Sequence, residues 1–552
     1  MRESYSRNKP EWNPKPLVDP PQVPVYDLLR MKAVQKPEKP VFISFDRMTT
    51  YKELDELSDR FANVLRANGI KKGDRISFYL PNCLQALIAF FGISKAGGIV
   101  VPINVMLKQD ELAYQLNDSG SRVIVTLDKL YSIVENVQNK VPSLQQVLVT
   151  NIRDYAEPGA WVPEEFDCEK QNNFPGDVWD FTQTLAEAST RSPEAYEINP
   201  RQDLFSILYT SGTTGDAKGV MLSHYNYISD CIWLICRGDW HEDDISLFLF
   251  PVFHAGNHGL VLCPSVFMGM TMVNIPKFDP EIALTLMVKY KVSVVHMPPT
   301  GYIGLLNHPS FDSCDLTSLR YCSAGGAPLA PALVKEWEKK TGVRILDAYG
   351  LTETISGLPL HETIIKNKPG ATGTAGHEVK IVDKNKNIVP IETTGEIAVR
   401  GPWVALGYWK KPEETKKVLT DDGWLYTGDA GYMDEDEFVY VVDRYKDLIL
   451  SSGYNVTPAE VEKAILSHEA VQEVCVYGLP DSYRGEIVSA AIVIKGGYKN
   501  KITEQDIIDY CRKQMANYKA PRYVEFISEI PKTASGKMLR RLLRDKAQDK
   551  QV

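Results

Sequence analysis

The chain lacks the features that would assign it to several large classes of protein. Its longest apolar stretches, Cys83 to Ile93 and Leu260 to Val273, fall short of the roughly 18 uninterrupted residues that a membrane-spanning helix needs. Basic side chains are outnumbered, 62 Lys and Arg against 71 Asp and Glu, and the resulting net charge of −9 offers no electrostatic footprint for nucleic acid. Nine cysteines, an odd number, are scattered without any Cys-x-x-Cys pair, which argues against both a disulfide framework and a zinc site. They read as small buried apolar residues. No internal repeat or low-complexity segment is found. The first residues carry charges and prolines where a secretory signal has an apolar core, and the closing Lys-Gln-Val is not a peroxisomal address. The expectation is a soluble cytoplasmic protein.

What is present is an ordinary globular balance, 44% hydrophobic and 24% charged, over 552 residues, enough for a large domain and at least one more. Short runs rich in Val, Ile and Leu recur at Arg75 to Leu80, Arg122 to Leu127, Leu204 to Thr210, Asp244 to Pro251, Val292 to Met297, Leu319 to Ser323 and Val343 to Asp347. Separated by helix-length stretches, they predict strands of largely parallel sheets joined by crossover helices, an α/β architecture. From about Pro369 the texture changes to turn-linked strands at Glu378 to Asp383, Gly395 to Arg400, Trp424 to Thr427 and Phe438 to Val442. This is read as a β-rich subdomain over 369–445 that closes a large domain, 1–445. Residues 446–552 then form a small domain with the order helix, strand, strand, helix, strand. Its first helix is signalled by Thr457 as cap, Pro458 at the first helical position and Glu460 completing a capping box.

The strongest local signal follows the strand ending at Thr210: Thr210-Ser211-Gly212-Thr213-Thr214-Gly215-Asp216-Ala217-Lys218-Gly219. Glycines let the backbone approach phosphate oxygens, hydroxyls donate to them, and Lys218 supplies a positive charge. The spacing is not that of P-loop NTPases, in which Gly-Lys is followed by Ser or Thr. A flexible Ser/Gly/Thr linker would share the composition, but the position after a buried strand favours a nucleotide loop.

Here the chain resembles the adenylate-forming superfamily of acyl-CoA synthetases, luciferases and peptide-synthetase adenylation domains, with Ala217 where the family loop usually has Pro. Further motifs follow in family order. Ser323-Ala324-Gly325-Gly326-Ala327-Pro328 is similar to the adenine-side turn. Asp347-Ala348-Tyr349-Gly350-Leu351-Thr352-Glu353-Thr354 resembles the segment in which, by that likeness, Tyr349 stacks on the base, Thr352 bonds a phosphate and Glu353 holds Mg²⁺. Tyr426-Thr427-Gly428-Asp429 implies ribose binding through Asp429, a carboxylate being the natural double acceptor for a diol. Asp443-Arg444-Tyr445-Lys446-Asp447 implies a second ribose contact from Arg444 and a hinge at Lys446. Pro531-Lys532-Thr533-Ala534-Ser535-Gly536-Lys537 implies a catalytic lysine at Lys537, although residues 532 to 550 hold seven basic side chains against two acidic ones and most such lysines only solvate a face.

The resemblance implies a large N-terminal domain of two α/β-layered sheet subdomains plus the β-rich one, and a small mobile α+β C-terminal domain. It implies two steps: a carboxylate attacks the α-phosphorus of ATP to give acyl-AMP and pyrophosphate, then coenzyme A takes the acyl group as a thioester. Turning about Lys446 would withdraw Lys537 and present Ser452, Gly453 and Tyr454 to the pantetheine. Pro251-Val252-Phe253-His254 resembles the segment whose last ring lies near the substrate carboxylate. Ala255, Gly256, Asn257 and, from Pro298-Pro299-Thr300-Gly301-Tyr302, Tyr302 are the expected acyl pocket. No Asp lies between Phe250 and Leu262 to hold an amino-acid ammonium. A medium- or long-chain fatty acid is the first expectation. An aromatic or short hydroxylated acid, served by Asn257 and His258, is the alternative, as is loading of a carrier protein. A nucleotide-binding protein without turnover is disfavoured by Lys537, Glu353 and Asp429. The expected partners are a small carboxylic acid, ATP and coenzyme A, with a homodimer as the candidate assembly.

Overall fold

The computed structural model describes residues 19–171, 174–210, 217–327, 329–355, 368, 370–372, 378–451, 454–481, 484–499, 501–532 and 538–549. Ser211, Gly212, Thr213, Thr214, Gly215, Ser452, Gly453 and Lys537 lie outside them. The chain divides into two compact units, one with residues 19–372 and Arg400–Leu425, the other with Glu378–Val399 and the residues from Tyr426 onward. The expected boundary at 445/446 follows sequence texture, whereas this division follows contacts. The strand Gly407–Tyr408 pairs with Lys218–Ser223, which draws its segment into the first unit. The other strands of the β-rich segment pair among themselves.

The runs expected as strands in the first unit all form strands, and they sort into two sheets. One has eight strands. Its parallel part runs through Leu204–Thr210, Ile99–Pro102, Arg75–Tyr79, Val123–Leu127, Gln146–Thr150 and Val178–Asp180, and Lys218–Ser223 and Gly407–Tyr408 continue it antiparallel. The other has seven, in the order Ile345–Ala348, Tyr321–Gly325, Val294–Met297, Ile245–Phe248, Thr271–Asn274, Pro40–Ser44 and Arg47–Thr50, parallel except for the last hairpin.

Parallel strands must be covered on both faces, and the apolar run beginning at Cys83 does much of that covering. It forms the helix Leu84–Lys95, buried along its whole length, in a core that draws on Phe78 and Val100 of one sheet and Phe42 and Phe248 of the other. A charge ends this helix in the interior. Lys95 Nζ lies 2.6 Å from Asp55 Oδ1 and 2.8 Å from Asp59 Oδ1, and Asp59 also takes Arg30 at 3.0 Å. Pairing of this kind is the condition for burying a lysine. Among the described residues no helix is long and apolar enough to cross a membrane.

The second unit carries a four-stranded sheet, Glu378–Val382, Gly395–Arg400, Leu425–Met433 and Val439–Arg444, and a five-stranded sheet built on the long hairpin Val471–Asp481 and Gly485–Ile494. Alternation along Val471–Asp481 sends Val474 and Val476 toward the helices Pro458–Leu466 and Glu504–Gln514, and Cys475 and Tyr477 toward Leu543 and Ala547 of the helix Arg540–Asp549. Pro458 opens its helix as expected, but Thr457 makes no side-chain cap bond. The amide of Ala459 instead donates to Asp443 Oδ2 at 3.2 Å, and Glu460 pairs with Lys519 at 2.6 Å. Distant side chains therefore replace the local capping box.

The crossing of Tyr51–Ala67 and Leu84–Lys95 depends on Gly92. A Cβ there would stand 2.8 Å from Phe61 Cδ1 and 2.9 Å from the Ser58 carbonyl oxygen. Gly92→Ala is expected to lower stability by about 1–3 kcal/mol through overpacking, seen as a lower urea midpoint at unchanged m-value.

Candidate active site

Most candidate residues of the first unit follow the carboxyl ends of strands in the seven-stranded sheet, where open α/β sheets bind ligands, while Thr210 and Lys218 belong to the eight-stranded one. The ladder pairs Ala324 with Asp347 and Gly325 with Ala348, so the turn Gly325-Gly326-Ala327 and the segment Asp347-Ala348-Tyr349-Gly350 leave adjacent strands side by side. Gly325 is required by that closeness, since a Cβ would stand 2.9 Å from the Ala348 carbonyl oxygen. Gly326 turns at φ 80°. Burial pushes the Asp347 carboxyl up to about 7. Thr352 and Glu353 follow in the 3₁₀ turn Thr352–Thr354, which the chain leaves through Ile355 at φ 62°, an uncommon conformation for a β-branched residue.

Thr210 and Lys218 face each other across an antiparallel pair of strands. The pair is pinned by residues that the motif did not name. Tyr114 OH donates to the Ala217 carbonyl at 2.9 Å, and Tyr209 OH to Asp118 Oδ2 at 2.7 Å. Lys218 Nζ lies 2.7 Å from Glu414 Oε2 and 5.1 Å from the Tyr408 ring centroid. The bond from Lys218, with help from Lys417, draws the Glu414 carboxyl down to about 2. Tyr408 OH in turn donates to Glu353 Oε1 at 2.7 Å, while the Ala405 amide donates to the Glu353 carbonyl at 2.8 Å. The structure thus brings Lys218 and Glu353 together around Tyr408, whose hydroxyl pKa is raised by burial and then by the neighbouring Glu353 charge. The only sequence signal for Tyr408 was an aromatic pair after Gly407.

The segment after Ile245–Phe248 carries His254. Its Nδ1 accepts the Gly256 amide at 3.0 Å, leaving the ring proton on Nε2, and the ring stacks on Phe250 with centroids 6.1 Å apart. The residue reaches solvent, yet the protein around the ring lowers its pKa by desolvation, so the imidazole is neutral at pH 7. Ala255 and Asn257 are buried, Gly256 is half-buried, and the Asn257 amide donates to the Phe250 carbonyl. His258, an alternative for a hydroxylated substrate, is already engaged: Nε2 donates to the Val252 carbonyl at 2.7 Å, and Nδ1 accepts from Tyr227 OH at 2.8 Å. Tyr302 is fully buried, its hydroxyl donating to the Ser323 carbonyl at 2.9 Å.

From His258 to Leu262 the helix is wound as a π-turn, in which the Cys263 amide bonds the His258 carbonyl. Pro264 explains it: a proline has no N–H for the carbonyl four residues back and its ring crowds that carbonyl.

In the second unit Asp429 and Arg444 stand opposite each other in the ladder between Leu425–Met433 and Val439–Arg444, joined by an ion pair of 2.8 Å. Gly428 turns at φ 72°, and its amide donates to Glu396 Oε1 at 3.1 Å. Lys446 lies in the turn Tyr445–Asp447, and Tyr454 begins the short strand Tyr454–Val456. Lys532 and Met538 form an antiparallel bridge, and the Leu539 amide donates to the Pro531 carbonyl at 2.8 Å.

What the first unit defines is an α/β architecture whose candidate residues largely follow the carboxyl edge of a parallel sheet. Residues 29–409 match the family model of the AMP-binding enzymes and residues 460–537 that of the AMP-binding enzyme C-terminal domain, and the chain belongs to this family. It is 38% identical over 542 residues to a long-chain-fatty-acid–CoA ligase of Bacillus subtilis (strain 168), covering 95% of this chain and 94% of that protein. It is 33% identical over 523 residues to the long-chain-fatty-acid–CoA ligase FadD13 of Mycobacterium tuberculosis (strain ATCC 25618 / H37Rv), covering 94% of this chain and 97% of that one. Among solved structures, ATP-bound MatB from Rhodopseudomonas palustris superposes with a TM-score of 0.82 at 30% identity, over 96% of this chain and 99% of that one. A Mycobacterium tuberculosis fatty acyl CoA synthetase gives 0.72 at 29%, with the same coverage.

Asp347 yields a pH prediction. Its native pKa near 7 lies above the ordinary 3.8, so the folded chain holds a proton that the unfolded chain loses first. The stability from this group is present below about pH 4 and lost as pH rises to about 7. Asp347→Asn, which stays neutral, should exceed the parent by only about 1 kcal/mol near pH 4.5 and by up to about 4 kcal/mol at pH 8. Urea unfolding of the nucleotide-free protein across that range measures the difference.

Proposed function

We propose that the chain is an ATP-dependent acid–CoA ligase acting on medium- or long-chain fatty acids. The observation that supports this most is the adjacency of Gly325-Gly326 to Asp347-Ala348-Tyr349 at one sheet edge, with Thr352 and Glu353 in the next turn. A flat base fits where Cβ atoms are missing, with Gly325, Gly326, Ala327 and Gly350 leaving room and Tyr349 as the stacking ring. Asp347 supports that edge. Asp429 accepts the ribose hydroxyls, and Arg444, which already holds one of its oxygens, fixes the carboxylate and adds a ribose contact.

In the first step a carboxylate oxygen of the acid bonds to the α-phosphorus, the bond from that phosphorus to the bridging oxygen breaks, and pyrophosphate leaves. Charge grows on the phosphoryl oxygens, and preorganised donors matched to it lower the barrier. Those donors are Thr210, Ser211, Gly212, Thr213, Thr214, Gly215, Lys218 and Thr352, with Lys537 at the α-phosphate. Glu353, held by the neutral Tyr408 hydroxyl, is an oxygen ligand suited to Mg²⁺, which keeps most of its waters and neutralises phosphate charge when bound. His254 presents a neutral Nε2–H donor to the substrate carboxylate.

In the second step the thiol of coenzyme A gives its proton to solvent, its sulfur bonds to the acyl carbon, and the bond from that carbon to the phosphate oxygen breaks, so that AMP leaves with the electron pair. Residues from 446 onward turn about Lys446 between the steps, with Ser452, Gly453 and Tyr454 beside the pantetheine. The acyl chain runs past Ala255 and Gly256, with the fully buried Asn257 and Tyr302 backing that wall rather than lining it, and each buried CH₂ adds about 0.8 kcal/mol. Relatives named long-chain-fatty-acid–CoA ligases support this substrate class. Use of ATP and coenzyme A, together with nine free thiols, supports a cytoplasmic setting.

ATP–pyrophosphate exchange with acids from acetate to palmitate, plus benzoate and hydroxybutyrate, tests this reading. Exchange should rise along the fatty-acid series, and AMP should accumulate when coenzyme A is added. Fastest exchange with benzoate or hydroxybutyrate, or no thioester with coenzyme A, would refute it. Lys537→Ala should slow acyl-AMP formation by about a hundredfold to a thousandfold while still converting supplied acyl-AMP to thioester. Equal loss of both halves would remove Lys537 from its role.

A further inference from the structure

The segment expected to pivot is gripped on its strand side by residues that come after it. Asp443 belongs to the strand Val439–Arg444 and precedes Lys446, and its side chain is only 6% exposed. Its Oδ2 accepts the Ala459 amide at 3.2 Å in the first turn of Pro458–Leu466, where Thr457 makes no side-chain bond. Its Oδ1 lies 3.6 Å from Arg540 Nη1, in the helix Arg540–Asp549. Arg540 is fixed by both Glu462 oxygens at 2.9 Å and donates to the Val476 carbonyl at 3.2 Å. A buried carboxylate before Lys446 is therefore docked on two helices that follow it.

A turn about Lys446 moves everything after that residue relative to everything before it. The docking of Asp443 then exists in one pose and is lost in the other, where the Ala459 amide loses its carboxylate and Arg540 keeps Glu462 and the Val476 carbonyl but not Asp443. A contact made in one of two states shifts their populations by its differential free energy. We propose that Asp443 is a positioning residue that favours one pose of the C-terminal residues and so sets the balance between acyl-AMP formation and thioester formation. The proposal rests on the two-step reading and on the pivot at Lys446.

The test uses the full chain with palmitate, measuring single-turnover acyl-AMP formation and, separately, conversion of supplied palmitoyl-AMP and coenzyme A to thioester. Asp443→Ala removes both the helix cap and the charge facing Arg540. Asp443→Asn keeps an oxygen for the cap and decides the matter if the alanine variant does not fold. The ratio of the two rates should change by about tenfold in Asp443→Ala and by less in Asp443→Asn, with the two rates moving in opposite directions. Loss of both rates by one common factor, or a parental ratio in both variants, overturns the role. Lys446→Pro, which locks φ near −65°, separates this from the underlying reading. If it leaves both half-reactions unchanged or slows them equally, the pivot falls and the Asp443 role with it. If it slows thioester formation alone while the Asp443 variants keep the parental ratio, the pivot stands and only the Asp443 role falls.

Discussion

The register of one parallel ladder governs the first unit's chemistry. A slip of one residue between Tyr321–Gly325 and Ile345–Ala348 would reverse the facing of every side chain on one strand, Asp347 included, and set a Cβ against the backbone where Gly325 now lies beside Ala348. Several buried contacts hold the register. Ser323 Oγ bonds His296 Nδ1 at 2.7 Å across the neighbouring strand, its carbonyl accepts from Tyr302, and Tyr302 packs edge-on against Trp337 with centroids 4.8 Å apart. Tyr302 therefore acts first on the strand that carries the glycine turn, and only through that strand on whatever lies in front of it.

The elements built from runs of Val, Ile and Leu were legible in the sequence because a strand buried on both faces has few other compositions open to it. The order of motifs was legible for a related reason, since turns that follow such strands must emerge at the same edge. The residues around those motifs were not. Tyr408 reaches Glu353 across 55 positions, and Lys218 reaches Glu414 across 196, so no local window holds both partners. The helix start at Thr457 shows the opposite failure. Its local pattern was sound, yet Asp443 and Lys519 offered better-placed partners for Ala459 and Glu460, and tertiary contacts prevailed over sequence neighbours. His258 read as a free polar group because the sequence could not show that Tyr227 and Val252 already use both of its nitrogens.

The two units also differ in how they bring groups together. In the first, parallel crossovers let residues from distant parts of the chain share one edge. In the second, the Asp429–Arg444 pair needs only a short antiparallel connection, so its two motifs are neighbours in sequence as well as in space. A site resting on a local hairpin tolerates change elsewhere in its unit, whereas the parallel edge depends on every strand beneath it.

The π-turn ahead of Pro264 has an evolutionary consequence. Such a turn holds one residue more than the regular helix would, so deleting a single position between His258 and Leu262 would restore ordinary winding and leave the helix on either side in its present phase. The side chains ahead of it, His254 among them, would keep their facing, and only the extra residue would be lost. The turn is thus a joint at which the chain can lengthen or shorten by one codon while the scaffold around it stays as it is.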